Sequence, residues 1–354
     1  MSDSRDGREL AAPVEAHSLD ETRLAAYLAE NIPGLSGDCT VQQFLGGQSN
    51  PTYLIEAESG AYVLRKKPPG KLLPSAHAVD REFAVMSALA ESGVPVPRTH
   101  LLCEDESVIG QMFYVMDYIP GRVIADPSLP GCSVVDRTGM YKSLVEVLGA
   151  LHAVDYKAVG LEDFGRPSAY IARQVARWSK QYAASKLEDF APMDRLIEWL
   201  PENNPGDESS SIVHGDYRPG NVIFDSTAPR VVSVLDWELS TIGHPFADLG
   251  YFLMPYRLHA DAAINGFLGH DIVSLGIPSE QQLLETYAKS AGLQEVPNID
   301  YYIAFSMFRL AAILAGVLKR GIEGSAADPR AIERGEAFKQ IANSGWEIVR
   351  AIRN

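Results

Sequence analysis

Hydrophobic positions alternate with polar ones through much of residues 40–118, whereas beyond Pro120 they recur every third or fourth residue. The alternation over Thr40 to Leu45, Thr52 to Glu56 and Ala61 to Arg65 predicts three strands, with Gly46-Gly47-Gln48-Ser49-Asn50 between the first two and Pro68-Pro69-Gly70 ending the third. A helix opens at Val79-Asp-Arg-Glu-Phe83 and runs to about Glu91; strands are read near Thr99 to Cys103 and over Gln111 to Ile119. Then the period changes. Ser133-Val-Val-Asp136 reads as a capping box ahead of a face made by Leu144, Val147, Leu148 and Leu151, with His152 packed at its end. Helices are expected over 167–185, 192–200, 279–291, 300–318 and 329–353, with a Gly/Ser/acid linker at 203–211. At the other end, residues up to about His17 are polar and read as poorly ordered; Ser18-Leu-Asp-Glu21 reads as a capping box for a helix that Pro33-Gly34 ends.

Length and charge narrow this. A chain of 354 residues is long for one core and suits two lobes. A net charge of −15 argues against nucleic acid as partner. The acidity concentrates in Leu187 to Gly250, where twelve Asp/Glu stand against three Arg, a field suited to a divalent metal; Val317 to Asn354 is instead net +2. Cys39, Cys103 and Cys132 have no metal-site or disulfide spacing, which fits a reducing cytoplasm. Met1 to Glu9 lacks the apolar core of a signal peptide, and Arg309 interrupts the apolar stretch Tyr301 to Leu318, so a buried core helix and no membrane contact are expected.

The chemistry concentrates in Ile212-Val-His-Gly-Asp-Tyr-Arg-Pro-Gly-Asn-Val-Ile-Phe224 and Val231-Val-Ser-Val-Leu-Asp-Trp-Glu238. Asp216, an amide five residues later at Asn221, and a second acid at a strand end, Asp236, match the order H-x-D-x-x-x-x-N then D of protein kinases. Taken singly, Asp216 is also a suitable turn residue before Pro219, and Asp236 a solvated strand end; neither reading accounts for all three together. His214-Gly-Asp-x-x-x-x-Asn221 with Leu235-Asp-Trp-Glu238 resembles the aminoglycoside phosphotransferase and choline kinase-like family, from roughly Thr40 onward.

That resemblance implies a protein kinase-like two-lobe α+β fold: 1–39 an N-terminal extension with one helix, 40–118 an antiparallel-sheet, nucleotide-binding N-lobe and hinge, and 119–354 a larger helical C-lobe with substrate cap and catalytic loop. It implies phosphoryl transfer from ATP or GTP to a hydroxyl. Asp216 is the base, Asn221 and Asp236 hold Mg²⁺, and Glu238 assists the second metal or steadies Asp236. Gly46, Gly47, Gln48, Ser49 and Asn50 approach the phosphates; Gly-Gly between strands is also an ordinary hairpin turn. Arg65 stands where the family places the phosphate-contacting cation, with Lys67 on the same face as alternative and Glu82 as its helix partner. Backbone groups near Met116, Asp117 and Tyr118 meet the adenine edge. Arg218 either stabilises the transferring phosphoryl group or pairs with a nearby carboxylate. His214 is read as an orienting partner rather than a base, and Asp248 as a brace for the catalytic-loop backbone.

For the acceptor, a polycationic aminoglycoside calls for a carboxylate-lined cap, whereas Arg173, Arg177 and Lys180 share one face of the expected cap helix. Gly46-Gly-Gln-Ser-Asn-Pro-Thr52, Leu64-Arg-Lys-Lys-Pro-Pro-Gly70 and Leu72-Leu-Pro-Ser-Ala-His-Ala-Val79 further resemble the kinase-like domain joined to acyl-CoA dehydrogenases. This implies a hydroxyacyl-CoA or hydroxy acid as acceptor, and a functional link to those dehydrogenases. An aminoglycoside or macrolide kinase, and a nucleotide-binding module without transfer activity, are the alternatives.

Overall fold

The computed structural model describes residues 3–13, 19–35, 39–45, 50–69, 77–260, 265–326 and 328–353. In chain order the elements are β1 (Asp3–Arg5), β2 (Arg8–Ala11), α1 (Glu21–Asn31), β3 (Thr40–Phe44), β4 (Thr52–Ala57), β5 (Gly60–Lys66), α2 (Val79–Leu89), β6 (Thr99–Cys103) and β7 (Phe113–Asp117). There follow α3 (Val134–Ala153), α4 (Tyr170–Ser185), α5 (Ala191–Glu202), β8 (Ser211–Val213), β9 (Val222–Phe224), β10 (Val231–Val234), β11 (Thr241–Gly243), α6 (Pro245–Leu253), α7 (Ile272–Leu275), α8 (Glu280–Ser290), α9 (Ile299–Ile322), α10 (Ala331–Glu336) and α11 (Phe338–Arg353). They fall into two units, 1–123 with 221–240, and 124–220 with 241–354. The fold is α+β and protein kinase-like.

The first unit is an antiparallel sheet in the order β1-β2-β3-β4-β5-β7-β6. Its core is built by period-two burial: Tyr53, Ile55, Leu64, Phe113 and Val115 on one face meet Leu24 and Leu28 of α1 and Ile32 just after it. Two expectations for the N-terminus are therefore corrected. Residues 3–11 are a hairpin paired to β3 through Leu10↔Phe44 and Ala11↔Gln43, with Leu10 buried, and α1, expected in an extension ahead of the lobe, packs into this core. Alternation too short to read as strand becomes strand once an edge is available to pair with. Ser18 lies outside the described residues; Asp20 is the N-cap of α1, accepting from Arg23 N at 3.0 Å.

The second unit is helical. α9, with a mean hydropathy of 1.7 over its most apolar 18 residues, is long and apolar enough to cross a membrane, but 72% of that window is buried, against α4, α5, α6, α10 and α11. Its Tyr302 stacks on His244 with ring centroids 4.7 Å apart, and α6 approaches so closely that a Cβ on Gly250 would lie 2.6 Å from the Tyr302 carbonyl. Ser133 caps α3 by accepting from Asp136 N at 3.1 Å, although the Asp136 carboxylate accepts from the Ser133 hydroxyl instead of completing a box. The single helix expected over 329–353 is two, because Gly335 seats α10 on α9 at Leu318 before the chain turns into α11.

Candidate active site

Pairing of β9 with β10 assembles the first cluster. Val222 faces Val234, and Leu235 N donates to Asn221 O at 2.9 Å, so the strand register alone sets Asn221 beside the residues leading into Asp236. Asp236 itself has φ +66°, a left-handed conformation that Asp tolerates better than most residues, and it starts a 3-10 turn, Trp237–Leu239, held by Trp237 Nε1 donating to Val234 O at 3.1 Å. Gly121 has a role here too. Its φ is +148°, and a Cβ there would lie 2.3 Å from Phe224 O of β9.

Arg65, in the ladder between Thr52 and Tyr114, joins this cluster to α2: Nε lies 3.0 Å from Glu82 Oε2, and Nη2 lies 2.7 Å from Asp236 Oδ1 and 4.0 Å from Glu238 Oε2. Lys67 pairs instead with Asp80, at 3.8 Å. Glu82 is 1% exposed and also accepts from Asn50 Nδ2 at 2.8 Å and Tyr114 Oη at 3.0 Å. Burial pushes its carboxyl up to about 7, against the pull of Arg65 and the Tyr114 hydrogen bond. Burial would lower the Arg65 guanidinium, but Glu82 and Asp236 outweigh it and keep Arg65 charged.

Asn221, Asp236 and Glu238 offer hard oxygen donors, the set that suits Mg²⁺. Among the described residues no three His, Cys, Asp or Glu cluster as a metal site, so an ion here would rest on two carboxylates, the Asn221 amide oxygen and oxygens from outside the protein, as Mg²⁺ at phosphate sites does. These residues fit the ion.

Two nucleotide-contact expectations change. Gly46, Gly47, Gln48 and Ser49 lie outside the described residues, while Asn50 is buried and turned inward, its amide spent on Glu82 and on His77 Nδ1, 3.0 Å away. At the expected hinge, Met116 pairs across the ladder with Val63 and Thr99, Asp117 N donates to Arg98 O at 2.9 Å and Tyr118 N to Ala61 O at 3.3 Å. The N–H groups of Asp117 and Tyr118 are thus engaged within the first unit and are not offered as donors.

Asp216 belongs to the second unit. Asp248, buried at the start of α6, accepts from His214 N at 2.5 Å and Gly215 N at 2.8 Å, shaping the backbone before it. Burial would raise the Asp248 carboxyl, yet His152 and the Gly215 hydrogen bond hold it below the usual range. The His214 ring takes the Asp216 N–H on Nδ1 at 3.2 Å. Arg218 Nε lies 3.4 Å from Asp216 Oδ2, which is the local ion pair of the two roles open to it; a Cβ on Gly220 would sit 2.6 Å from its Nη1.

Three neighbours were not read from the sequence. The Tyr251 phenol is raised by burial, then by the negative charge of Asp216 and its hydrogen bond to that carboxylate. Arg309 Nη2 donates to Gly215 O at 2.9 Å, and its guanidinium stands over the Trp178 ring at 5.9 Å, while Arg177 stands over the same ring at 5.2 Å. The signal for Tyr251 was present, because it lies three positions after Asp248, on one face of α6. Nothing local marks Trp178.

Comparison with known proteins identifies the family and the fold. The model of the phosphotransferase enzyme family matches residues 40–272. Acyl-CoA dehydrogenase family member 10 of Mus musculus is 45% identical over 314 residues, 88% of this chain but 29% of that one; the chain spans less than half the length of such curated relatives. The crystal structure of a Ralstonia eutropha protein assigned as an aminoglycoside phosphotransferase superposes with a TM-score of 0.87 at 42% identity, covering 94% of this chain and 99% of that one. Choline kinase from Cryptosporidium parvum shares the fold at 13% identity, with a TM-score of 0.66 over 94% and 97% of the two chains. The catalytic-loop and Asp236 motifs, the kinase-like fold and these matches lead to one assignment: the chain belongs to the phosphotransferase enzyme family.

Proposed function

We propose that the protein moves the terminal phosphoryl group of ATP or GTP to the hydroxyl of an anionic small molecule, a hydroxyacyl-CoA or hydroxy acid. Arg65 holds the non-transferred phosphates. Asn221, Asp236 and Glu238 would hold Mg²⁺, which when bound neutralises phosphate charge. Asp216, five residues before Asn221 in the chain, orients the acceptor hydroxyl and takes its proton as the new P–O bond forms and the bond to the leaving diphosphate breaks. Arg218, paired with Asp216 Oδ2 at 3.4 Å, keeps that carboxylate charged and in place, and from there its guanidinium can also reach the transferring group.

The observation that carries the choice of acceptor is the pair of arginines on Trp178. Arg309 donates to the carbonyl directly before Asp216, and Arg177 brings the basic side of α4 to the same ring. The Tyr170 phenol, raised by burial, feels Arg309, Arg173 and Arg177 together as positive neighbours. Arg309 on the carbonyl before Asp216, with Arg177 across the same Trp178 ring, favours a carboxylate or phosphate and repels a polycation. The similarity to acyl-CoA dehydrogenase family members supports the acyl-CoA class, and a reducing cytoplasm is the proposed setting.

A phosphorylation screen with γ-labelled ATP and GTP over hydroxyacyl-CoAs, free hydroxy acids, aminoglycosides, macrolides and choline tests this. Transfer to the first two classes is expected. Efficient transfer to an aminoglycoside alone would replace the acceptor assignment, and nucleotide binding without transfer to any hydroxyl would replace the catalytic one.

A further inference from the structure

The helical unit contains a cavity of about 320 Å³ lined by residues of α3, α6 and α8 and of the segments flanking β8 and α8, none of them assigned a role above except His152. Its wall holds an unusual atom. Ser211 is 2% exposed, lines the cavity, and its Oγ makes no hydrogen bond among the described residues. A buried hydroxyl left without a partner is destabilising, so a group that satisfies it is favoured. The remaining lining has one sign of charge: Asp207 and Glu295 are carboxylates, and among the described lining residues there is no lysine or arginine. Phe246, Tyr287 and Leu293 supply apolar and aromatic surface.

We propose that this cavity binds a small organic cation, a primary ammonium on an apolar body. Such an ammonium has three N–H donors, and the wall offers three acceptors, Asp207, Glu295 and Ser211 Oγ. The aromatic faces of Phe246 and Tyr287 suit both the cation and its carbon body. Asp207 is ready for this role as a charge: burial opposes ionisation, but the Ser209 hydroxyl and N–H and the His244 ring hold its carboxyl below the usual range. His152 gives the cavity a physical link to the catalytic loop, because its Nε2 lies 3.5 Å from Asp248 Oδ2, which in turn holds His214 and Gly215.

Calorimetric titration of the full chain with 2-phenylethylammonium, 3-phenylpropanoate and 3-phenylpropan-1-ol tests the proposal without reference to phosphoryl transfer. The ammonium should bind at one site, with the carboxylate at least about tenfold weaker and the gap narrowing in salt. Leu293→Arg, at a residue 41% exposed, adds a like charge at the rim and should abolish binding, while Ser211→Ala should weaken it about three- to tenfold. Absence of saturable ammonium binding, equal affinity for the carboxylate, or unchanged binding in both variants overturns the assignment.

Discussion

Arg65 Nη2 and Asp236 Oδ1 stand 2.7 Å apart, so the side chain expected to hold phosphates also fixes the carboxylate expected to hold the metal. A guanidinium reaches Glu82 with one nitrogen and Asp236 with another, which a lysine ammonium does not reproduce. Arg65→Met should therefore cost about 3–5 kcal/mol of stability, since it strands the buried Glu82. The double variant Arg65→Met/Glu82→Leu should regain most of that in denaturant unfolding while nucleotide affinity stays lost. Recovery of both would remove Arg65 from the phosphate site.

Glu82 also sets a pH dependence. Its carboxyl is raised from 4.5 to about 7 in the folded chain, first by burial, so between those values the folded state holds a proton that the unfolded state has released. Stability from this group is full below pH 4.5 and is lost as pH rises through about 7. In Glu82→Gln that slope should disappear from unfolding curves measured across the window.

Asp216 and Asp236 should separate in kinetics. Asp216→Asn removes the proton acceptor but no proposed metal ligand, and should lower kcat by at least about a hundredfold with nucleotide affinity nearly intact. Asp236→Ala should chiefly weaken Mg²⁺-dependent nucleotide binding. A reversed pattern in titration and turnover would exchange the two roles.

Arg177 decides the acceptor class. Arg177→Glu should raise the KM of an anionic acceptor about ten- to a hundredfold, roughly 1–3 kcal/mol, leave nucleotide KM alone, and do so less as salt rises. A cationic acceptor would improve instead, and an acceptor KM unmoved at low and moderate salt would withdraw Arg177 from recognition.

Where the chain follows one local rule, the sequence was enough: alternation marks β4 and β5, and the helix expected over 279–291 is α8, opened by Ser279. The misses share a cause. The β1–β2 hairpin exists because β3 offers it an edge, Asn50 turns inward because a buried glutamate needs its amide, and Arg309 reaches Gly215 from 94 positions away. Each depends on a partner distant in sequence, which periodicity over a short window does not contain.

The hairpin of residues 3–11 has a further consequence, for solubility. It leaves the sheet ending on a strand of three residues, β1, where otherwise the five-residue β3 would present its unpaired N–H and C=O groups to solvent. Arg8 fastens the hairpin by donating to Tyr118 Oη at 2.7 Å and Ile119 O at 3.0 Å. A version of the chain trimmed to begin at Thr40 would expose an open strand edge together with the apolar face left by α1, the kind of template that recruits other chains. Such a version should form oligomers and precipitate in light scattering at concentrations where the full chain stays dispersed.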